Sequence, residues 1–292
     1  MKKVLNLLLA LVLTLSMVIA LAACGKKTTT KKGVTTKKGV TTKVSETLVV
    51  GMECDYAPFN WTENSKTETN VAISNVPGAY AEGYDVQMSK KIAEALGKKL
   101  EIKALAWDAL IPSLKNGEID MIVAGMSPTE ERKESISFTE GYYTSTHVML
   151  IKNGSKYASA TKLSDFKDAK VAGQLGTIYA DLVPQAVAAG AVAGTDLDTV
   201  PALVNNIKNN VLDATIVEKP VAQGLCAADD TLDFVEFEAG QGFTVAVEDV
   251  MVSIGVRKDC TFIDAINAAL ANISEDQRTE MMLAAVTKNS QN

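Results

Sequence analysis

One eight-residue stretch occurs twice in similar form, and that echo limits the folds open to this chain. Asn116-Gly117-Glu118-Ile119-Asp120-Met121-Ile122-Val123 returns in outline as Asn209-Asn210-Val211-Leu212-Asp213-Ala214-Thr215-Ile216. Each copy follows a helix-like pattern, turns at an Asn-Gly or Asn-Asn pair, and enters an apolar run that carries one Asp. Helix, turn and buried strand in that order belong to an α/β sheet covered by helices. Two occurrences within 292 residues point to two similar α/β lobes, and the length suffices for two cores.

The rest of the chain extends the alternation. Residues 47–51 are apolar and β-branched and predict a first buried strand. Pro58 bars its continuation, so residues 52–61 are expected to form a loop rich in acids and aromatics. The polar insert 62–82 reads as surface loop. A helix is predicted from Asp85, with Val86, Met88, Ile92, Ala93 and Leu96 on one face and Gly97 ending it. A strand at 100–105, a helix capped at Trp107 or Asp108 and a strand at 119–124 follow. Residues 138–143 read as a connector and 148–151 as a strand. The second set comprises a strand at 169–172, a turn at 174–177 opening a helix, a helix at 203–209 and a strand at 212–217. Strands at 233–237 and 249–256 and helices at 262–272 and 275–288 complete the prediction.

The N-terminus does not fit this scheme. Lys2 and Lys3 precede an apolar run to Leu21, closed by small residues, which describes a signal peptide over 1–24. Its ending, Leu21-Ala22-Ala23-Cys24, resembles a bacterial lipobox, which implies cleavage before Cys24 and lipidation of its thiol. Residues 25–44 repeat a Lys-Lys-Gly-Val-Thr-Thr unit without aromatics and read as a disordered tether. Nine of the 29 basic residues are lysines within 1–44, leaving 20 against all 35 acids and a net −15 beyond them. So acidic a domain disfavours nucleic acid as a partner. Cys54, Cys226 and Cys260 cannot all pair, fit no zinc spacing and read as buried free thiols. His147 is the only histidine, which argues against a Ser-His-Asp triad or a histidine-rich metal site.

Chemistry gathers where predicted strands end. After the strand at 119–124 comes Gly125-Met126-Ser127-Pro128-Thr129-Glu130-Glu131-Arg132. Thr129 is suited to cap a helix, and Arg132 to grip a carboxylate through its planar fork. Ligands of open α/β sheets bind beyond the carboxyl ends of strands. That rule gathers residues 53–59, 125–132, Thr177 and Glu218 at one cleft between the lobes.

The chain resembles the family 3 bacterial solute-binding proteins that feed ABC importers, over roughly residues 46–288. The resemblance rests on Val50-Gly51-Met52-Glu53, Tyr56-Ala57-Pro58-Phe59, Gly83-Tyr84-Asp85-Val86, residues 107–114, Gly117-Glu118-Ile119-Asp120, residues 125–132, Phe138 and Gly176-Thr177. It implies a two-lobed Venus-flytrap fold crossed near 150–152 and 251–254, with lobe one at 45–151 plus 253–292 and lobe two at 152–252. It implies that Arg132 holds a ligand α-carboxylate with Ser127 and the backbone N–H of Thr177. The Gly125 carbonyl, Ser127 hydroxyl and Glu218 would receive the α-ammonium, and Tyr56 and Trp107 would sandwich the side chain. Glu53 either reads a basic or polar side chain or braces its loop. Where relatives often carry Asp the chain has Glu218, and where they often carry a hydroxyl it has Ile178. The implied protein is a monomeric, lipid-anchored binder of a free amino acid, facing the extracellular side or the periplasm and delivering to permease subunits. No cofactor, metal or catalytic residue is expected; the alternative is an enzyme on the same scaffold, such as a cyclohexadienyl-type dehydratase.

Overall fold

The computed structural model describes residues 46–291, so the signal segment, Cys24 and the tether lie outside the described residues. In chain order the elements begin with β1 (Thr47–Met52), β2 (Asp55–Tyr56), β3 (Asn60–Glu63), β4 (Val71–Ala72) and β5 (Tyr80–Glu82). Next come α1 (Tyr84–Ala95), β6 (Lys99–Ala104), α2 (Trp107–Lys115), β7 (Met121–Ile122), α3 (Glu130–Ser135) and β8 (Ser137–Thr144). Then follow β9 (His147–Lys152), β10 (Lys170–Ala172), α4 (Ile178–Ala188), β11 (Val192–Ala193), α5 (Val200–Lys208), β12 (Ala214–Glu218) and α6 (Lys219–Ala228). The chain closes with β13 (Leu232–Val235), β14 (Met251–Val256), α7 (Ile263–Ala271) and α8 (Glu275–Asn289).

Two five-stranded mixed sheets form the frames of two lobes, in the orders β6-β1-β7-β14-β8 and β11-β10-β12-β9-β13. In each, the first three strands run parallel and the last two join antiparallel. The echoed segments supply the central strands β7 and β12. Gly117 and Asn210 both adopt a left-handed backbone, at φ 76° and 56°, which Gly and Asn accept most readily. Each echoed Asp then caps a neighbouring strand: Asp120 accepts from the Val49 N–H at 2.9 Å, and Asp213 from the Lys170 N–H at 2.8 Å. The repeat therefore has a structural cause, a carboxylate that fixes parallel register at the entrance of each sheet.

Two expectations fail locally. The insert at 62–82 is not loop but builds, with β2, the antiparallel sheet β2-β3-β5-β4. Its strands are two to four residues long, and β5 buries the adjacent Ala81 and Glu82, so no alternation marks it as strand. The connector expected at 138–143 is β8, paired to β14 through two register shifts near Gly141 and Gly255 that blur its periodicity. Cys54 is buried as expected, whereas Cys226 and Cys260 are only half-buried.

The chain passes between the sheets at residues 145–146 and again through a short 3₁₀ turn, Val247–Val250. The first passage precedes the expected one, because His147–Lys152 pairs along its length with β12 and β13. The two passages touch, the Ser145 N–H donating to the Val250 carbonyl at 2.8 Å. One apolar core fills the first lobe and runs on beneath α5 and α6, and a second surrounds Phe166, Tyr179 and Ile216. No helix among the described residues is long and apolar enough to cross a membrane.

Candidate functional site

Strand ends deliver most of the site. Beyond β7, Gly125 takes φ 59°, and a Cβ there would stand 3.1 Å from the Tyr56 ring, so glycine lets that ring close over the turn. Thr129 caps α3, its hydroxyl accepting from the Arg132 N–H at 3.3 Å. That cap turns the Arg132 side chain back toward the strand end. Its guanidinium donates to the Ser127 carbonyl at 2.8 Å and to Gly176 across the cleft at 3.4 Å, and lies 5.1 Å from the Trp107 ring centroid.

A buried hub holds the two first-lobe loops together. Asp85 stands in the first turn of α1, where a helix start was expected, and is fully buried. It accepts from the Tyr142 hydroxyl at 2.7 Å and the Asn60 amide at 2.8 Å. Tyr142 in turn accepts from the Gly125 N–H at 3.1 Å, and Asn60 from the Cys54 N–H at 2.8 Å. One carboxyl thereby fixes both the 53–56 loop and the 125–127 loop. Burial lifts it to about 6, against the pull of those two bonds.

The second lobe brings Gln174, Thr177 and Glu218. Thr177 caps α4, accepting from the Tyr179 N–H at 3.2 Å and donating to the Gln174 carbonyl at 2.7 Å. Its own N–H, expected to face a ligand, lies 3.3 Å from that same carbonyl. Glu218 ends β12, is 2% exposed and accepts from the Tyr56 hydroxyl of the other lobe. The cleft is further bridged by Trp107 Nε1 donating to the Gly176 carbonyl at 2.8 Å, and by Gln174 Nε2 donating to Glu53 Oε1 at 2.9 Å.

Glu53, Tyr56, Trp107, Gly125, Ser127, Arg132, Gln174, Thr177, Ile178 and Tyr179 line one cavity at the meeting of the lobes. Glu218 is not among the lining residues and joins the site through its bond to Tyr56. The lobes are shut: the space open to the centre of a water molecule is about 10 Å³, room for roughly one. Ser127 is buried and donates to the Asp249 carbonyl at 3.2 Å, tying the pocket to the second passage. Three residues escaped the sequence reading. Gln174 and Tyr179 flank the recognised Gly176-Thr177, and Asp249 carries no local mark at all.

The electrostatics are uncompensated. Among the described residues no acid pairs with Arg132 and no base with Glu53 or Glu218 within ion-pair distance. Burial pulls the Arg132 pKa down, against the combined field of Tyr179, Asp181, Glu131 and Asp249. Burial raises Glu218 to about 8. It also raises Glu53 to about 7, with Asp55 adding and the Gln174 bond opposing. A buried charge without a partner is costly, so this arrangement favours a guest that brings opposite charges to both ends. His147 stands behind the site, its ring 5.6 Å from that of Tyr179, and burial lowers its pKa. Among the described residues no group of three or more His, Cys, Asp or Glu is placed to hold a metal.

Known proteins are similar to this chain in sequence and fold. The chain is 30% identical over 238 residues to the arginine-binding extracellular protein ArtP of Bacillus subtilis (strain 168), covering 80% of this chain and 84% of that one. An amino acid ABC transporter substrate-binding protein from Streptococcus pneumoniae Canada MDR_19A, solved bound to L-arginine, superposes with a TM-score of 0.68 at 26% identity, over 83% of this chain and 94% of that one. An ancestral arginine-binding protein bound to glutamine gives a TM-score of 0.64 at 28% identity, over 82% and 96%. With a match to the family's sequence pattern over residues 48–284, the chain belongs to the bacterial extracellular solute-binding proteins, family 3.

Proposed function

We propose that this protein captures a free L-amino acid with a basic side chain between its lobes and delivers it to the permease of an ABC importer. The observation that carries the reading is a half-buried guanidinium and a buried carboxyl, each without an ion-pair partner among the described residues, Arg132 from one lobe and Glu218 from the other. A zwitterion answers both only when the lobes meet, so binding and closure are one event. Arg132 and Ser127 take the α-carboxylate, joined by the Thr177 N–H when it turns from the Gln174 carbonyl. Glu218, Ser127 and the Gly125 carbonyl take the α-ammonium, and Tyr56 and Trp107 flank the side chain. Glu53 is then a second carboxyl, half-buried and with no ion-pair partner among the described residues, and a side-chain cation neutralises it. The relatives named or solved as arginine binders support this choice.

Lobe one comprises residues 46–144 and 251–291, lobe two residues 147–246, with Ser145-Thr146 and residues 247–250 as the hinges. The leader and Cys24 support export and lipid anchoring, with residues 25–44 as tether and the folded part working as a monomer outside the cytoplasm.

The test is a thermal-shift screen of the twenty amino acids on the folded part. A ligand at about a hundred times its dissociation constant adds roughly 2.7 kcal/mol, and arginine or lysine should give the largest shift. No shift with any amino acid would sink the reading. A raised Glu218 also suits a general acid, as the dehydratase alternative requires. Turnover of a cyclic carboxylic acid by the purified protein would favour that alternative.

A further inference from the structure

Gln174 is 3% exposed and sits where β10 meets α4, yet its amide spans the cleft. Nε2 donates to Glu53 Oε1 of lobe one at 2.9 Å and to the Asp198 carbonyl of its own lobe at 3.0 Å. Both amide hydrogens are thus engaged. A flipped amide would turn its oxygen toward a carboxyl and a carbonyl, two acceptors, so Asp198 decides which end of the amide faces Glu53. With Oε1 held from lobe two, Oε2 is the oxygen left to a guest.

We propose that Gln174 is a specificity-determining positioning residue: it orients the Glu53 carboxyl across the cleft, so that a basic side chain is read only in the shut form. The inference rests on the reading of Glu53 as the group that meets the ligand side chain. Lobe one alone carries the acid, lobe two alone carries its orienting donor, and neither recognises the side chain without the other. A hydrogen bond to the charged form also favours that form, so Gln174 opposes the desolvation that keeps a buried Glu53 protonated. The titratable and charged groups around it are Cys54 and Asp55 on its own loop, Arg132 after β7, and Tyr179 on α4; Glu218 lies behind Tyr56. Of these, Asp55 raises Glu53, which makes Gln174 the group that counters both burial and like charge.

The test is a ¹³C NMR titration of Glu side-chain carboxyls in the ligand-free protein, comparing wild type, Gln174→Met and Gln174→Glu, with Glu53→Gln assigning the resonance. Met keeps the length and removes the donor, and the Glu218 midpoint serves as the check that the pocket remains folded. The Glu53 midpoint should rise by about one pH unit in Gln174→Met, a tenfold change in its proton affinity, and further in Gln174→Glu. L-Arginine affinity at neutral pH should fall by about tenfold in Gln174→Met, and by much less at high pH, where Glu53 ionises unaided. A Glu53 midpoint that does not move in Gln174→Met, with Glu218 unchanged, overturns the proposal and leaves the reading of Glu53 standing. Wild-type L-arginine affinity and pH profile in Glu53→Gln overturn that reading, and the role of Gln174 goes with it.

Discussion

Arg132 does two jobs that a lysine cannot share. Its fork holds the Ser127 carbonyl and stacks near Trp107 while remaining able to meet a carboxylate. Arg132→Lys keeps the charge but loses that geometry. Amino-acid affinity by calorimetry should fall by about ten- to a hundredfold, the span of one charge-assisted hydrogen bond. Unchanged affinity would remove Arg132 from the carboxylate role. The cap at Thr129, the arginine and Glu218 were legible in the sequence because each stands beside a strand end with its chemistry exposed in the residue type. Asp85 was not, since its work depends on Asn60 and Tyr142, which reach it from other elements. Gln174 was hidden for a different reason: an uncharged side chain inside a turn carries no sign of what it will face across a cleft.

At the scale of elements, the start of α4 sets where Gln174, Thr177 and Tyr179 stand. Gly173 makes that placement possible, because a Cβ there would meet the Ala180 nitrogen at 2.4 Å and the Tyr179 carbonyl carbon at 2.5 Å. These are backbone atoms of the helix, which cannot yield without moving its first turn. Gly173→Ala should destabilise the protein by about 2 kcal/mol in denaturant unfolding and weaken amino-acid binding about tenfold. A variant that unfolds and binds as wild type would show that the first turn of α4 has slack. The long periodic elements, α1, α5, α7 and α8, could be read from their apolar spacing. The four-stranded small sheet could not, because strands of two to four residues are too short to display a period. The echoed Asp residues were visible as a pattern, but their common task as caps on β1 and β10 required the sheet to be seen.

For the whole molecule, the buried Asp85 and Glu218 and the half-buried Glu53 bias stability in one direction. Asp85 lies at about 6, Glu53 at about 7 and Glu218 at about 8, all above their unfolded values. A raised folded-state pKa contributes stability below the unfolded pKa and loses it as pH climbs through the folded one. The ligand-free protein should therefore melt lower at about pH 8.5 than at about pH 5.5, by roughly 5 °C. A basic amino acid, which favours the ionised carboxylates, should narrow or reverse that difference. Glu218→Gln should flatten the ligand-free trend; a slope untouched by that change would mean Glu218 does not titrate in this window.

The bonds Tyr56–Glu218, Gln174–Glu53 and Trp107–Gly176 all join groups of the protein to one another across the cleft. On the importer reading, they make the carrier its own competitor. An arriving α-ammonium has to take Glu218 from the Tyr56 hydroxyl, so the net affinity is smaller than the ligand's own contacts imply. Weakening a cross-cleft bond that no ligand atom replaces, such as the one from Trp107, would raise throughput at the expense of retention.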